Sequence, residues 1–120
     1  MAFAVTAVKP VFRIFSPEKA REFYLGFLGF SEVWTYAPTD GPCYFEVARD
    51  GLALHLTEHH GDCTPGGLAL VEVSDIDALH AEITARSYPF NRPGVDPAPW
   101  GGRVMETTDP FMNRLRFWEP

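Results

Sequence analysis

The sequence predicts an α+β fold built from two tandem βαβββ modules, about residues 1–60 and 67–120, in a single domain. Three observations predict it. Within each half, apolar periodicity changes from two to 3.6 and back to two. Asp-Gly and Asp-Pro pairs fall between short alternating runs, where hairpin turns belong. Sliding the halves by about 59 residues pairs Phe12 with Val71, Ile14 with Val73, Ala20 with Leu79 and Asp50 with Asp109.

The first element is a strand in which Pro10, Phe12 and Ile14 alternate with Lys9, Val11, Arg13 and Phe15. Ser16-Pro17-Glu18 opens a helix, because Ser caps free N–H groups, Pro tolerates the first helical position and Glu suits the positive end. Ala20, Phe23, Tyr24 and Phe27 form its apolar stripe and Gly29 ends it. Three strands follow, Phe30 to Tyr36, Pro42 to Ala48 and Leu52 to Thr57, with turns at Asp40-Gly41 and Asp50-Gly51. His59 to Gly67 is a polar, glycine-rich linker.

The second half repeats the order. Leu68 to Val73 alternates as a strand, and Ser74-Asp75 caps a helix carrying Ile76, Leu79 and Ile83. Three strands are expected around Tyr88 to Asn91, Gly102 to Thr107 and Asn113 to Trp118. Arg92 to Pro99 is too rich in proline for a central strand and reads as a surface loop delivering Trp100. Glycines after Trp100 leave its indole open to a ligand. Arg116 falls on the face opposite Leu115 and Phe117, so this last hairpin brings a ring and a cation to a candidate site.

Composition limits the function classes. A net charge of −6 opposes nucleic acid, whose binding needs a basic patch, and mildly favours a cationic small molecule. No apolar run reaches membrane length and no signal-peptide pattern opens the chain, so the expected location is cytoplasmic. Cys43 and Cys63 make no redox or metal motif and fit a reduced protein.

Two such modules, with Phe23-Tyr24 before Leu28-Gly29-Phe30 and a closing Asp109-Pro110…Asn113 hairpin, resemble the vicinal oxygen chelate superfamily. That superfamily includes glyoxalase I, extradiol dioxygenases, fosfomycin-resistance enzymes and bleomycin-resistance proteins. Pro99-Trp100-Gly101, together with the hairpin motif, looks most like the bleomycin-resistance branch. The resemblance implies the glyoxalase/bleomycin-resistance fold, a curved mixed sheet around a cleft. In metal-dependent members four strand positions supply His and Glu; carried over, they fall at Lys9, His55, Leu68 and Arg116. One imidazole beside a leucine and two cations is a poor donor set for a divalent ion. No metal and no other cofactor are therefore expected.

His55-Leu56-Thr57-Glu58-His59 spells a metalloprotease signature, but that chemistry needs a helix. Here Leu52, Leu54 and Leu56 alternate with Ala53, His55 and Thr57, as in a strand. His59, His60 and Cys63 offer ligand types without a defined spacing and read first as solvated loop residues. No phosphate loop or G-x-S-x-G is present, and the sequence supports no catalytic Cys-His pairing. Glu46 and Glu72 are either cleft-facing carboxylates or, more simply, solvated groups or partners of Arg13 and Arg116.

What remains is a surface for binding. Trp34, Tyr36, Tyr44, Trp100 and Trp118 lie on or beside the expected cleft strands, and flat rings offer stacking and cation–π attraction. Trp34 and Trp118 read equally well as packing residues. In the bleomycin-resistance proteins that the chain resembles, two subunits intertwine and a flat drug tail stacks between aromatics at their interface. The resemblance puts Trp100 on one wall and Tyr44 nearest the other, and places Pro10 where a proline accompanies N-terminal arm exchange. The expected ligand contacts are Trp100, Tyr44, Trp34, Tyr36, His55 and Arg116. The leading expectation is a metal-free homodimer, with or without arm exchange, that sequesters a flat, cationic antibiotic or natural product. The alternative is a lyase, isomerase or dioxygenase of the same superfamily with a rebuilt site using His55.

Overall fold

A computed structural model describes residues 2–120; Met1, at the head of the expected first module, lies outside the described residues. The chain runs β1 (Val11–Arg13), α1 (Pro17–Arg21), β2 (Ser31–Tyr36), β3 (Tyr44–Arg49), β4 (Leu52–Thr57), β5 (Leu68–Glu72), α2 (Ile76–Thr84), β6 (Asp96–Pro97), β7 (Arg103–Thr108) and β8 (Arg114–Glu119). The strands form two four-stranded mixed sheets of the same topology, ordered β1-β4-β3-β2 and β5-β8-β7-β6. In each, the first strand pairs in parallel with the last and the remaining neighbours are antiparallel. This is the expected α+β architecture of two βαβββ modules. No described helix is long and apolar enough to cross a membrane.

Local chemistry sets the element ends. Ser16 Oγ accepts the N–H of Lys19, and Pro17 occupies the first turn of α1. The helix then widens into a π-helical segment, Glu22–Phe27, with the N–H of Leu28 donating to the carbonyl of Phe23 at 2.9 Å. The wider turn lets Phe23, Tyr24, Phe27 and Leu28 all be buried, which a regular helical stripe had not anticipated for Leu28. Gly29 leaves the helix at φ +75°, a conformation that suits a residue without Cβ. In the second module Asp75 is the cap, accepting from the N–H of Ala78 at 3.1 Å, while Glu119 accepts from the N–H of Ile76 at 2.8 Å.

Alternation then divides each sheet into two faces. Phe45, Val47, Leu54 and Leu56 are buried in the core with the α1 stripe, and Met105, Leu115 and Phe117 are buried with Ile76 and Ile83 of α2. The opposite faces of both sheets remain open in the single chain. They carry Trp34, Tyr44 and His55 on one sheet and Leu70 and Arg116 on the other.

Polar ties join the modules. The Tyr24 hydroxyl donates to Asp109 at 2.6 Å, and Asn113 donates from Nδ2 to the carbonyl of Arg13 at 2.7 Å. Arg49 makes a bidentate pair with Glu82 at 2.7 Å and also donates to the carbonyl of Leu28.

Two expectations are corrected. The segment from Tyr88 to Asn91 is not a strand: the Tyr88 ring stacks on Phe27 at 4.8 Å, so the chain wraps α1 instead of pairing. The missing strand is β6, within the proline-rich loop, where Pro97 is tolerated because the strand is at an edge. The first strand is also shorter than the alternation suggests. Pro10 supplies a carbonyl to the N–H of His55 but has no N–H of its own, and residues 2–8 extend away exposed.

Candidate functional site

The open face of the first sheet gathers four of the six expected ligand residues. Trp34 on β2 and Tyr44 on β3 are neighbours across the sheet, with ring planes 5° apart and centroids 5.8 Å apart. His55 on β4 stands edge-on to both, 5.2 Å from Trp34 and 5.1 Å from Tyr44. Tyr36, two residues beyond Trp34, lies on the same face and is 64% exposed. Trp34 is 43% exposed, which excludes the reading of it as core. Trp34, Tyr36 and Tyr44, with Pro42, Thr57, His59 and Asp62, line an open crevice of about 430 Å³.

Beneath the rings lies a polar chain. His55 Nδ1 is 2.5 Å from the Tyr44 hydroxyl and His55 Nε2 is 2.8 Å from Glu46. The Lys9 ammonium donates to the same Glu46 oxygen at 2.9 Å. Glu46 follows from β3 alternation, because Tyr44 and Glu46 share a face and register sets Glu46 opposite His55. Its hydrogen bonds with Lys9 and then His55 hold its carboxyl below the usual range, so it is ionised. Burial, reinforced by the negative charge of Asp62, pushes the Tyr44 phenol up and keeps it protonated. The expectation that Glu46 is solvated or pairs with Arg13 or Arg116 is therefore corrected: it is buried and partnered by Lys9 and His55. Glu72 is exposed, as the simpler reading had it.

The other two expected residues belong to the second sheet. Trp100, 54% exposed, packs edge-on against Trp118 with centroids 6.3 Å apart, and Trp118 donates from Nε1 to the carbonyl of Gly101 at 2.8 Å. Gly102 is required here, since at φ +72° a Cβ would lie 2.1 Å from the carbonyl oxygen of Glu119. Arg116 projects from β8 on the open face and pairs with Glu106 at 3.0 Å. A single chain thus does not bring Trp100 and Arg116 into the Trp34–Tyr36–Tyr44 crevice. A larger hollow, about 700 Å³, lies between the Arg49–Leu52 turn and β5–α2. It contains none of the expected ligand residues, and Arg49 and Glu82 on its wall already neutralise each other.

The donor set does not fit a divalent metal. Both nitrogens of His55 have partners, Lys9 is an ammonium and Arg116 a guanidinium, and neither cation can donate a lone pair. Among the described residues no three His, Cys, Asp or Glu side chains converge as a metal site. His59 pairs with Asp62 at 3.2 Å and stacks on His60, while Cys43 and Cys63 are free thiols. The protease signature is likewise absent as chemistry, because His55 lies in strand β4.

Two repeated βαβββ sheets, one with an open aromatic face, define a two-module protein of the glyoxalase/bleomycin-resistance fold. The chain belongs to the glyoxalase superfamily: the family model described as "Glyoxalase superfamily protein" matches residues 2–120. It is similar to TnmS3, an antibiotic binding protein from Streptomyces sp. CB03234, at 24% identity and TM-score 0.70 over 98% of this chain and 99% of that one. It is also similar to the bleomycin-binding protein of bleomycin-producing Streptomyces verticillus, solved with copper(II)-bleomycin, at 26% identity and TM-score 0.72 over 99% of each chain. A further bleomycin-binding protein, solved with bleomycin, aligns at 18% identity and TM-score 0.75 over 97% of this chain and 99% of that one. Proteins of curated function offer no match.

Proposed function

We propose that this chain is a metal-free homodimeric binding protein that sequesters a flat, cationic antibiotic or natural product. The observation that carries the reading is the Trp34–Tyr44 pair, two parallel rings held at 5.8 Å on a face that nothing in the chain covers. A planar ligand stacking against the exposed side of that pair gains contact area without ordering flexible side chains. Asp62 on the crevice wall places negative charge beside the rings, which favours a cation there. Protection in this scheme is mass action, with no bond broken.

Dimerisation is supported by what the single chain leaves unpartnered. Residues 2–8 extend away from the fold, with Phe3 90%, Val5 74% and Val8 82% exposed. Strand β5 is a sheet edge bearing Leu68 and Leu70, both more than two-fifths exposed. An exposed apolar edge and an exposed apolar arm are complementary by backbone hydrogen bonding, and exchange of arms between two copies satisfies both. The open face of the second sheet, with Trp100 and Arg116, would then come from the partner to wall the crevice.

Tryptophan fluorescence tests the reading. Titration with bleomycin and a panel of planar cationic antibiotics is expected to quench the native protein saturably, with quenching lost in Trp34→Ala. No response across the panel overturns it.

The Tyr44–His55–Glu46 chain favours a second reading, an enzyme of the superfamily that moves a proton through a rebuilt site. Elemental analysis after purification without chelator addresses its metal-dependent form. Near one transition metal per subunit would favour that enzyme.

A further inference from the structure

The crevice has a directional hydrogen-bond polarity that follows from the residues behind it. Glu46 is ionised and accepts only, so the His55 nitrogen facing it, Nε2, must carry the proton. A neutral imidazole has one N–H. Nδ1 is then a bare acceptor, and the contact at 2.5 Å requires the Tyr44 hydroxyl to donate its only proton inward. The Tyr44 oxygen keeps its lone pairs for the crevice that its ring lines. Lys9, donating to Glu46 at 2.9 Å, holds the carboxylate that fixes the whole sequence.

From this we infer that the Glu46–His55 pair sets Tyr44 as a hydrogen-bond acceptor toward the crevice, so the site selects planar aromatic ligands bearing an N–H or O–H donor at the ring edge. The inference rests on the stacking site proposed above and narrows its ligand class. Trp34 and the Tyr44 ring supply affinity for any flat apolar surface, while the Tyr44 oxygen discriminates among such surfaces. A ligand that offers only an acceptor at that edge meets lone pair against lone pair, and with His55 neutral the relay cannot reverse without breaking the bond to Glu46. Glu46 and His55 act as positioning residues, since they reach the ligand only through Tyr44.

Two neutral probes of the same ring separate the terms: 2-naphthol has an O–H donor, and 2-methoxynaphthalene has none. Titrations followed by protein NMR at pH 8.5 are expected to show the native protein binding 2-naphthol roughly fivefold more tightly than its ether, the scale of one neutral hydrogen bond. Tyr44→Phe keeps the stacked ring and is expected to reduce that ratio to about one. Glu46→Gln releases the imidazole tautomer and is expected to lower the ratio. Equal affinity of both probes for the native protein overturns this inference and leaves the stacking site standing. Failure of both probes to bind overturns the stacking site and the inference with it. An independent reading comes from ¹⁵N spectra of the ligand-free protein: His55 protonated at Nε2 is expected, and a proton on Nδ1 overturns the proposal.

Discussion

The hydroxyl of Tyr24, in the first module, donates at 2.6 Å to the carboxylate of Asp109, in the second. Both groups are buried, and the pair lies where the β7–β8 turn meets the π-helical segment. Asp109 Oδ1 also accepts from the N–H groups of Phe111 and Asn113, and its Oδ2 accepts from Asn113 Nδ2. The Asp-Pro-x-x-Asn motif is thus a module-docking device. All four donors aim at one carboxylate.

Removing part of that set should weaken the fold, not the crevice. Asp109→Asn turns an amide N–H toward donors, and is expected to cost about 1–3 kcal/mol, the usual penalty for buried polar groups left unmatched. Tyr24→Phe should cost a similar amount. Urea unfolding measures both, and wild-type stability in either variant contradicts the docking role.

Trp34 and Trp100 should differ in how their loss depends on assembly. Trp34→Ala is expected to weaken ligand binding at least tenfold, since stacked aromatic anchors carry about 2 kcal/mol or more when central. Trp100→Ala is expected to weaken binding in the dimer alone, because within one chain its ring rests on Trp118 and away from the crevice. Calorimetric titration of dimeric and arm-deleted protein separates the two.

Deleting residues 2–8, or replacing Phe3 and Val5 with Asp, should shift the protein toward monomer. The arm makes no apolar burial within its own chain, so intrachain stability should change by less than about 0.5 kcal/mol. Sedimentation velocity reads the assembly state. An unchanged dimer would place the interface elsewhere.

Acid should destabilise the folded state through its paired carboxylates. The hydrogen bond from Arg49 holds the Glu82 carboxyl below its ordinary 4.5, and the bond from Arg21 does the same for Glu32. A lowered folded pKa gives stability that is present above the unfolded value and lost as pH falls through the folded one. Asp109 acts oppositely: burial raises its carboxyl above 3.8, so its effect favours folding at low pH and fades as pH rises through the folded value. Urea midpoints from pH 6 to pH 3 are expected to fall, with a shallower slope in Glu82→Gln and a steeper one in Asp109→Asn.

Much of the fold was legible because it is local. Seven of the eight strands, both helix caps and the repeat follow from alternation, Ser16, Asp75 and the turn residues. The exception, β6, was missed because Tyr88 to Asn91 carries strand-type aromatics whose rings the core takes instead. The site was half legible. Alternation grouped Trp34, Tyr36, Tyr44 and His55, yet the role of Glu46 was hidden, since only its β3–β4 register puts it beside His55.

By itself the sequence determined the order of elements, the two-module repeat and the poverty of metal ligands, because periodicity, caps and residue chemistry act over a few positions. Tertiary structure alone decided which polar groups meet. Lys9, Glu46, His55 and Tyr44 come from β3, β4 and the arm, and Tyr24 meets Asp109 across 85 residues of chain. Such contacts depend on register and docking, which no local pattern encodes. For the same reason Trp100 and Arg116 stand apart from the crevice in a single chain: they ride on the second sheet, and its position is set by packing.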